Sequence, residues 1–168
     1  MTKIDKRYLR ILDRILDRLK PINVPWAVTG SFGFALQGVP VEPHDIDLQT
    51  DEMGAYEIER LLTEFVVERV HFASAENIRS HFGVLNIDGI KVDIMGDIQK
   101  RLDTGTWTEA PDLGKHIHFI KMEEMNIPVL SLEYEYEAYM QLGRKDKATL
   151  LKRWLLKHSN ALTEDNDE

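Results

Sequence analysis

Residues 83–87 and 90–95 read Gly-Val-Leu-Asn-Ile and Ile-Lys-Val-Asp-Ile-Met, and the pair Asp88-Gly89 lies between them. No other stretch narrows the possible folds as much. Asp-Gly is favoured in two-residue type I′ turns, where both central residues need positive φ, so two runs of alternating residues around it predict a β-hairpin. On the second strand Ile90, Val92 and Ile94 share one face, while Lys91 and Asp93 share the other. The chain must therefore build a sheet, and a lone carboxylate sits inside one of its apolar strands.

Other segments supply the partners. Ile4, Tyr8, Ile11, Leu12, Ile15, Leu16 and Leu19 recur at helical steps over residues 3–20, with charged residues between them. Pro21 ends that helix. Trp26-Ala27-Val28 then reads as a short buried strand that stops at Thr29-Gly30, and residues 31–37 allow two helical turns with Ser31 as N-cap. Asp45-Ile46-Asp47-Leu48 alternates, so as a strand it points both carboxylates to one side. Residues 53–64 read as a helix and residues 65–70 as a strand rich in β-branched side chains. Residues 97–114 hold Gly105, Pro111 and Gly114 among polar residues and read as a long excursion that orders against a ligand or partner. A strand around residues 117–120, an apolar run at 127–130, a helix capped by Ser131 and ending at Gly143, and a helix over residues 145–158 complete the chain.

Composition sets the outer limits. The 168 residues suffice for one core, so one domain is expected over residues 1–158, followed by an acidic flexible tail at 159–168. With 29 acidic against 21 basic residues, net charge −8, a broad cationic surface for long nucleic acid is not expected. There is no cysteine for a disulfide or thiolate metal site, and residues 1–5 lack the apolar run of a signal peptide; the expected setting is the cytoplasm. Charged residues break every apolar segment, so no membrane span is expected.

Gly30-Ser31, preceded by Val28-Thr29 and followed thirteen residues later by Asp45-Ile46-Asp47, with Asp93 on a later strand, forms a constellation. It resembles the signature of the DNA polymerase beta superfamily: a hydrophobic residue, Gly, Gly or Ser, then acid-hydrophobic-acid, then a third acid. Within that superfamily the spacing and size resemble the minimal nucleotidyltransferases related to lincosamide-modifying enzymes and to nucleotidyltransferase toxins, over roughly residues 24–158. The resemblance implies an α+β nucleotidyltransferase fold: a mixed, mostly antiparallel sheet flanked by helices, with a helical C-terminal segment. It implies a magnesium-dependent enzyme that moves a nucleoside monophosphate from a nucleoside triphosphate (NTP) to an acceptor hydroxyl and releases pyrophosphate. Asp45, Asp47 and Asp93 would be the catalytic residues and hold two Mg2+ ions, while Gly30, Ser31, Arg144 and Lys145 would bind the nucleotide. Relatives carry a lysine in the penultimate helix where this chain reads Tyr139-Met140-Gln141.

Elementary chemistry agrees with those assignments. A hydroxyl attacking an α-phosphate approaches an anionic centre, and both nucleophile and leaving group need neutralisation. Magnesium takes hard oxygen ligands, which carboxylates on adjacent strands provide. A glycine at a strand-to-helix turn lets backbone approach phosphate, and a serine hydroxyl adds a donor. Two rivals share the same residues: a nucleotide-binding regulatory module without turnover, and a toxin-type enzyme acting on protein or transfer RNA. The acceptor, small or macromolecular, has no readable code. His44, His116 and His118 are read as structural, and Trp107 as a packing residue or a platform for a base.

Overall fold

The computed structural model describes residues 4–166, with side chains described for residues 4–158. Helix α1 (Lys6–Arg18) begins at Asp5, whose side chain accepts from the Arg7 amide, and buries Tyr8, Ile11, Leu12 and Ile15. Strand β1 (Trp26–Thr29) runs directly into α2 (Gly30–Leu36), followed by β2 (Ile46–Thr50) and α3 (Glu52–Leu61). A 3-10 turn at Thr63–Phe65 leads to β3 (Val66–Ser74), β4 (Ile78–Ile87) and β5 (Ile90–Lys100). After a second 3-10 turn at Leu113–His116 come β6 (Ile117–Met122), β7 (Met125–Leu130), α4 (Leu132–Gln141) and α5 (Lys145–Asn166). Helix α5 thus passes beyond His158 into the stretch read as a tail; Asp167 and Glu168 lie outside the described residues.

Among the described residues seven strands form one sheet, in the order β3-β4-β5-β2-β1-β7-β6. Pairings β1–β2, β3–β4, β4–β5 and β6–β7 are antiparallel, whereas β2–β5 and β1–β7 are parallel. The expectation of a mostly antiparallel sheet is therefore corrected at the centre, where the sheet is mixed. The reason is the route of the chain. Helix α3 returns it to the starting end of β2, so β3 runs as β2 does, and two reversals later so does β5. The hairpin turn is as expected, with positive φ at Asp88 (51°) and Gly89 (87°).

Alternation divides the sheet into two faces. Val28, Ile46, Leu48, Val92, Ile94 and Val129 enter the main core under α1 and α3. Ala27 and Leu130 turn to the other face with Leu113, and a separate cluster of Phe34, Val39, Leu132 and Leu151 holds α4 and α5 against α2. Burial of each large apolar side chain contributes roughly 1.5–3 kcal/mol, so the three clusters fix the position of the second face relative to α4 and α5. A cleft opens between them.

Two local expectations are corrected. The excursion begins later than residue 97, because β5 continues through Lys100. It also orders against its own chain: Thr108 is bonded to Lys100 through both its amide and its hydroxyl, and the Arg79 guanidinium lies 4.3 Å from the Trp107 ring centroid. Ser31 is not the cap of α2. Thr29 holds the N-cap position with extended backbone, its side chain makes no capping bond, and Gly30 already counts as helix.

Candidate active site

Strand β2 lies between β5 and β1, and in its ladder with β5 Asp47 stands opposite Asp93. This places two carboxylates side by side at the centre of the sheet, on the face away from the main core. Asp45 occupies the bend just before β2, partly buried and not held by the ladder. The partners of Asp47 explain its electrostatics. Its carboxyl is pushed up to about 6 by burial first, then by Asp93 and Asp45, while Lys147 and Lys91 oppose the shift. Burial likewise raises Asp93 above the ordinary carboxylate range. Lys91 Nζ lies 3.5 Å from Asp93 Oδ1 without hydrogen-bond geometry, so that buried oxygen has no donor.

An all-oxygen donor set, one buried oxygen without a donor and a carboxylate strained by like charge are what a hard divalent cation would relieve. The residues fit magnesium in chemistry. Among the described residues, however, no three Asp, Glu, His or Cys side chains are drawn together tightly enough to enclose an ion as they stand. Asp45 is the member outside the ladder.

Gly30 has φ +69°, and a Cβ there would stand 2.3 Å from Asp47 Oδ2. The glycine thus lets the β1–α2 turn press against the carboxylate. Its amide is already engaged: Gly30 N–H donates to Glu135 Oε2 at 3.2 Å, and the Thr29 hydroxyl donates to Glu135 Oε1. Glu135, on α4, is 4% exposed, and its carboxyl is pushed up to about 7 by burial, with the Thr29 and Gly30 bonds opposing. Ser31 is partly buried on α2 and lies outside the cleft lining.

The cleft holds about 260 Å³. Asp47, Asp93, Gly30 and Thr29 line its sheet side, and Glu135, Arg144 and Lys147 its helix side. Arg144 and Lys147 both lie over the Tyr139 ring, at 5.6 and 5.7 Å from its centroid. Lys145 is exposed and does not line the cleft; Lys147, two residues on, takes the inward position. A larger hollow of about 680 Å³ beside α1 and the β6–β7 turn contains none of the three aspartates.

Glu135, Lys147 and Lys100 were not singled out by sequence reasoning. Glu135 sits among Glu133 and Glu137 with nothing local to distinguish it, and Lys147 belongs to a basic run. Lys100 ends the strand whose length was read short. With no lysine at 139–141, the cations that line the cleft are Lys100, Arg144 and Lys147. His116 stacks on Tyr134 and His118 bonds to Gln37, while at His44 it is the backbone carbonyl that accepts from the Tyr8 hydroxyl.

The chain matches the aminoglycoside-2″-adenylyltransferase family over residues 11–151. A Thermotoga maritima protein provisionally classed as a nucleotidyltransferase is 61% identical, covers 92% of this chain and 96% of its own, and superposes with a TM-score of 0.81. A lincosamide antibiotic adenylyltransferase with lincomycin bound is 16% identical, with coverage of 90% and 98% and a TM-score of 0.58. ANT(2″)-Ia in complex with adenylyl-2″-tobramycin is 14% identical, with coverage of 89% and 90% and a TM-score of 0.56. The last two are similar in fold. No curated protein sequence matches the chain.

Proposed function

The chain belongs to the aminoglycoside-2″-adenylyltransferase family, and from that premise we propose that it transfers an adenylyl group from ATP to a hydroxyl of a small second substrate, releasing pyrophosphate. The observation that carries the reading is the Asp47–Asp93 pair, adjacent across parallel strands, with Asp93 Oδ1 buried and without a donor. Magnesium held by Asp45, Asp47 and Asp93 would supply the positive charge that lets a nucleophile approach the α-phosphate. Asp93, beside the position of the attacking hydroxyl, accepts its proton. The hydroxyl oxygen bonds to the α-phosphorus, and the bond to the β-phosphate oxygen breaks.

Arg144 and Lys147 hold phosphate oxygens from the helix side. Gly30 serves by shape, keeping the turn against Asp47, while Ser31, outside the cleft lining, would have to turn its hydroxyl inward to reach a phosphate oxygen. Reading the chain as one domain acting in the cytoplasm, where ATP and magnesium are at hand, belongs to the same proposal.

The test is pyrophosphate release from ATP and magnesium across a panel of hydroxylated small molecules, for wild type, Asp45→Asn and Asp93→Asn. Release by the wild type and a fall of roughly a hundredfold or more in each variant is expected. Unimpaired release by both variants overturns the mechanism. Tight nucleotide binding without release under any acceptor leaves the regulatory-module reading in its place.

A further inference from the structure

Lys100, the last residue of β5, lines the cleft with 9% of its surface exposed. Its ammonium donates to Gln141 Oε1, a neutral amide oxygen, at 3.1 Å and lies 5.6 Å from the Tyr134 ring centroid. Among the described residues it makes no ion pair. Glu135 is the acid whose charge reaches it, yet both oxygens of Glu135 are taken by Thr29 and Gly30. A buried ammonium without an anionic partner is costly, and surface lysines avoid that cost by leaving the charged end in water. Lys100 is instead largely enclosed where it lines the cleft, and burial lowers its ammonium below the ordinary lysine range.

Its position indicates which ligand would complete it. In the proposed reaction Asp93 takes the acceptor hydroxyl, and the lining continues along β5 from Asp93 through Met95 and Ile98 to Lys100, with Ile78 of β4 beside them. Arg144 and Lys147 stand on α5 and its entrance, the side given to the nucleotide. A polycation such as the tobramycin in the ANT(2″)-Ia complex needs carboxylates along its binding wall. Past Asp93 the β5 part of the lining is apolar and ends in a cation, and the carboxylate of Glu135 across from it is engaged by Thr29 and Gly30.

We propose that Lys100 binds an anionic oxygen group of the second substrate, so that the acceptor is a hydroxylated molecule with an apolar body and a carboxylate- or phosphate-type group. The assignment rests on the adenylyl-transfer reading for its orientation, but its test does not require turnover.

Para-hydroxyphenylpropionate and its methyl ester carry the same hydroxylated apolar body with and without the charge. Both are titrated by NMR into the whole protein without nucleotide, beside tobramycin. Wild type is expected to bind the acid roughly tenfold or more tightly than the ester, the worth of one charge-assisted hydrogen bond, and tobramycin not at all. Lys100→Met is expected to bind acid and ester alike, with unchanged affinity for magnesium and a non-hydrolysable ATP analogue. An ester bound as tightly as the acid, binding of neither, an acid preference that survives in Lys100→Met, or tight binding of tobramycin overturns the proposal. Weaker binding of the ATP analogue by Lys100→Met assigns the anion to the nucleotide and overturns the acceptor assignment. Since the variant removes a desolvated charge, it should melt at or above the wild-type temperature. A lower melting temperature marks Lys100 as structural and overturns the proposal, and Lys100→Gln repeats the binding comparison with the amide contact kept. Failure of the transfer reading shows separately, as absent pyrophosphate release.

Discussion

The sheet side of the cleft carries its charges at ladder positions, whereas the helix side carries them on α4, α5 and the loop between. Asp47 and Asp93 are paired in the backbone register of β2 and β5, so their separation is set by strand spacing. Arg144 and Lys147 reach the cleft on long side chains over a shared tyrosine ring. The first wall holds like charges together at a cost. The second offers cations with many rotamers that a phosphate chain would order. Charge that must be exact in position is placed on the sheet, and charge that must follow a ligand is placed on the helices.

Glu135 is the exception, an acid on the helix side that acts as part of the sheet side. Replacing it with alanine tests the division most severely. Glu135→Ala leaves the buried Gly30 amide and Thr29 hydroxyl without an acceptor, so a loss of roughly 2–4 kcal/mol in urea unfolding is expected. A change below about 0.5 kcal/mol would break the distinction, because the turn would then not depend on α4.

Asp47→Asn is expected to have a smaller effect of opposite sign. A carboxyl raised to about 6 from an ordinary 3.8 holds its proton better in the folded chain. That contribution to stability is complete below the unfolded value and is lost as pH rises through the folded one. Without magnesium, Asp47→Asn should therefore be more stable than wild type by ~1–3 kcal/mol at neutral pH, and the gap should close by about pH 4. Thermal melts over pH 4–8 follow it, and added magnesium should stabilise wild type more than the variant. A gap constant with pH would show that Asp47 is not strained by charge.

The smallest effect sharpens the contrast on the helix side. Lys147→Met should weaken binding of magnesium and an ATP analogue roughly five- to tenfold, about 1 kcal/mol, with melting unchanged, while Lys145→Met should leave it alone. Calorimetric titration of the two variants side by side decides it. Equal losses would mean a diffuse basic field and not a placed contact.

The same contrast accounts for what the sequence could convey. The shared face of Asp47 and Asp93 is legible because strand period and an Asp-Gly turn are local, and local rules assign faces, whereas Asp45, expected on the same strand as Asp47, lies in the bend before it. The β2–β5 pairing is parallel because of a long crossover, and no residue near either strand announces it. Glu135 meets Gly30 across 105 positions of chain. Nothing in Tyr134-Glu135-Tyr136 marks that glutamate from its neighbours, since what distinguishes it is burial, a property of the assembled fold. Ser31 is the right residue type for a cap, yet backbone geometry gives that position to Thr29, two residues earlier. Lys145 and Lys147 differ only in helical phase, and the phase of α5 relative to the cleft depends on how Leu151 packs with Phe34 and Leu132.

The bond from Glu135 to the β1–α2 turn also bears on how such a chain can change over generations. A C-terminal helix pair attached only through apolar packing could be exchanged for another of similar shape, leaving the sheet's chemistry intact. Here the fourth helix supplies the acceptor for the very amide and hydroxyl that begin the second. Any replacement must bring a carboxylate to that point or lose the turn. The helix side of the cleft is thereby tied by inheritance to its sheet side, and the cleft lining changes more readily through side chains along β5 than through a different helical cap.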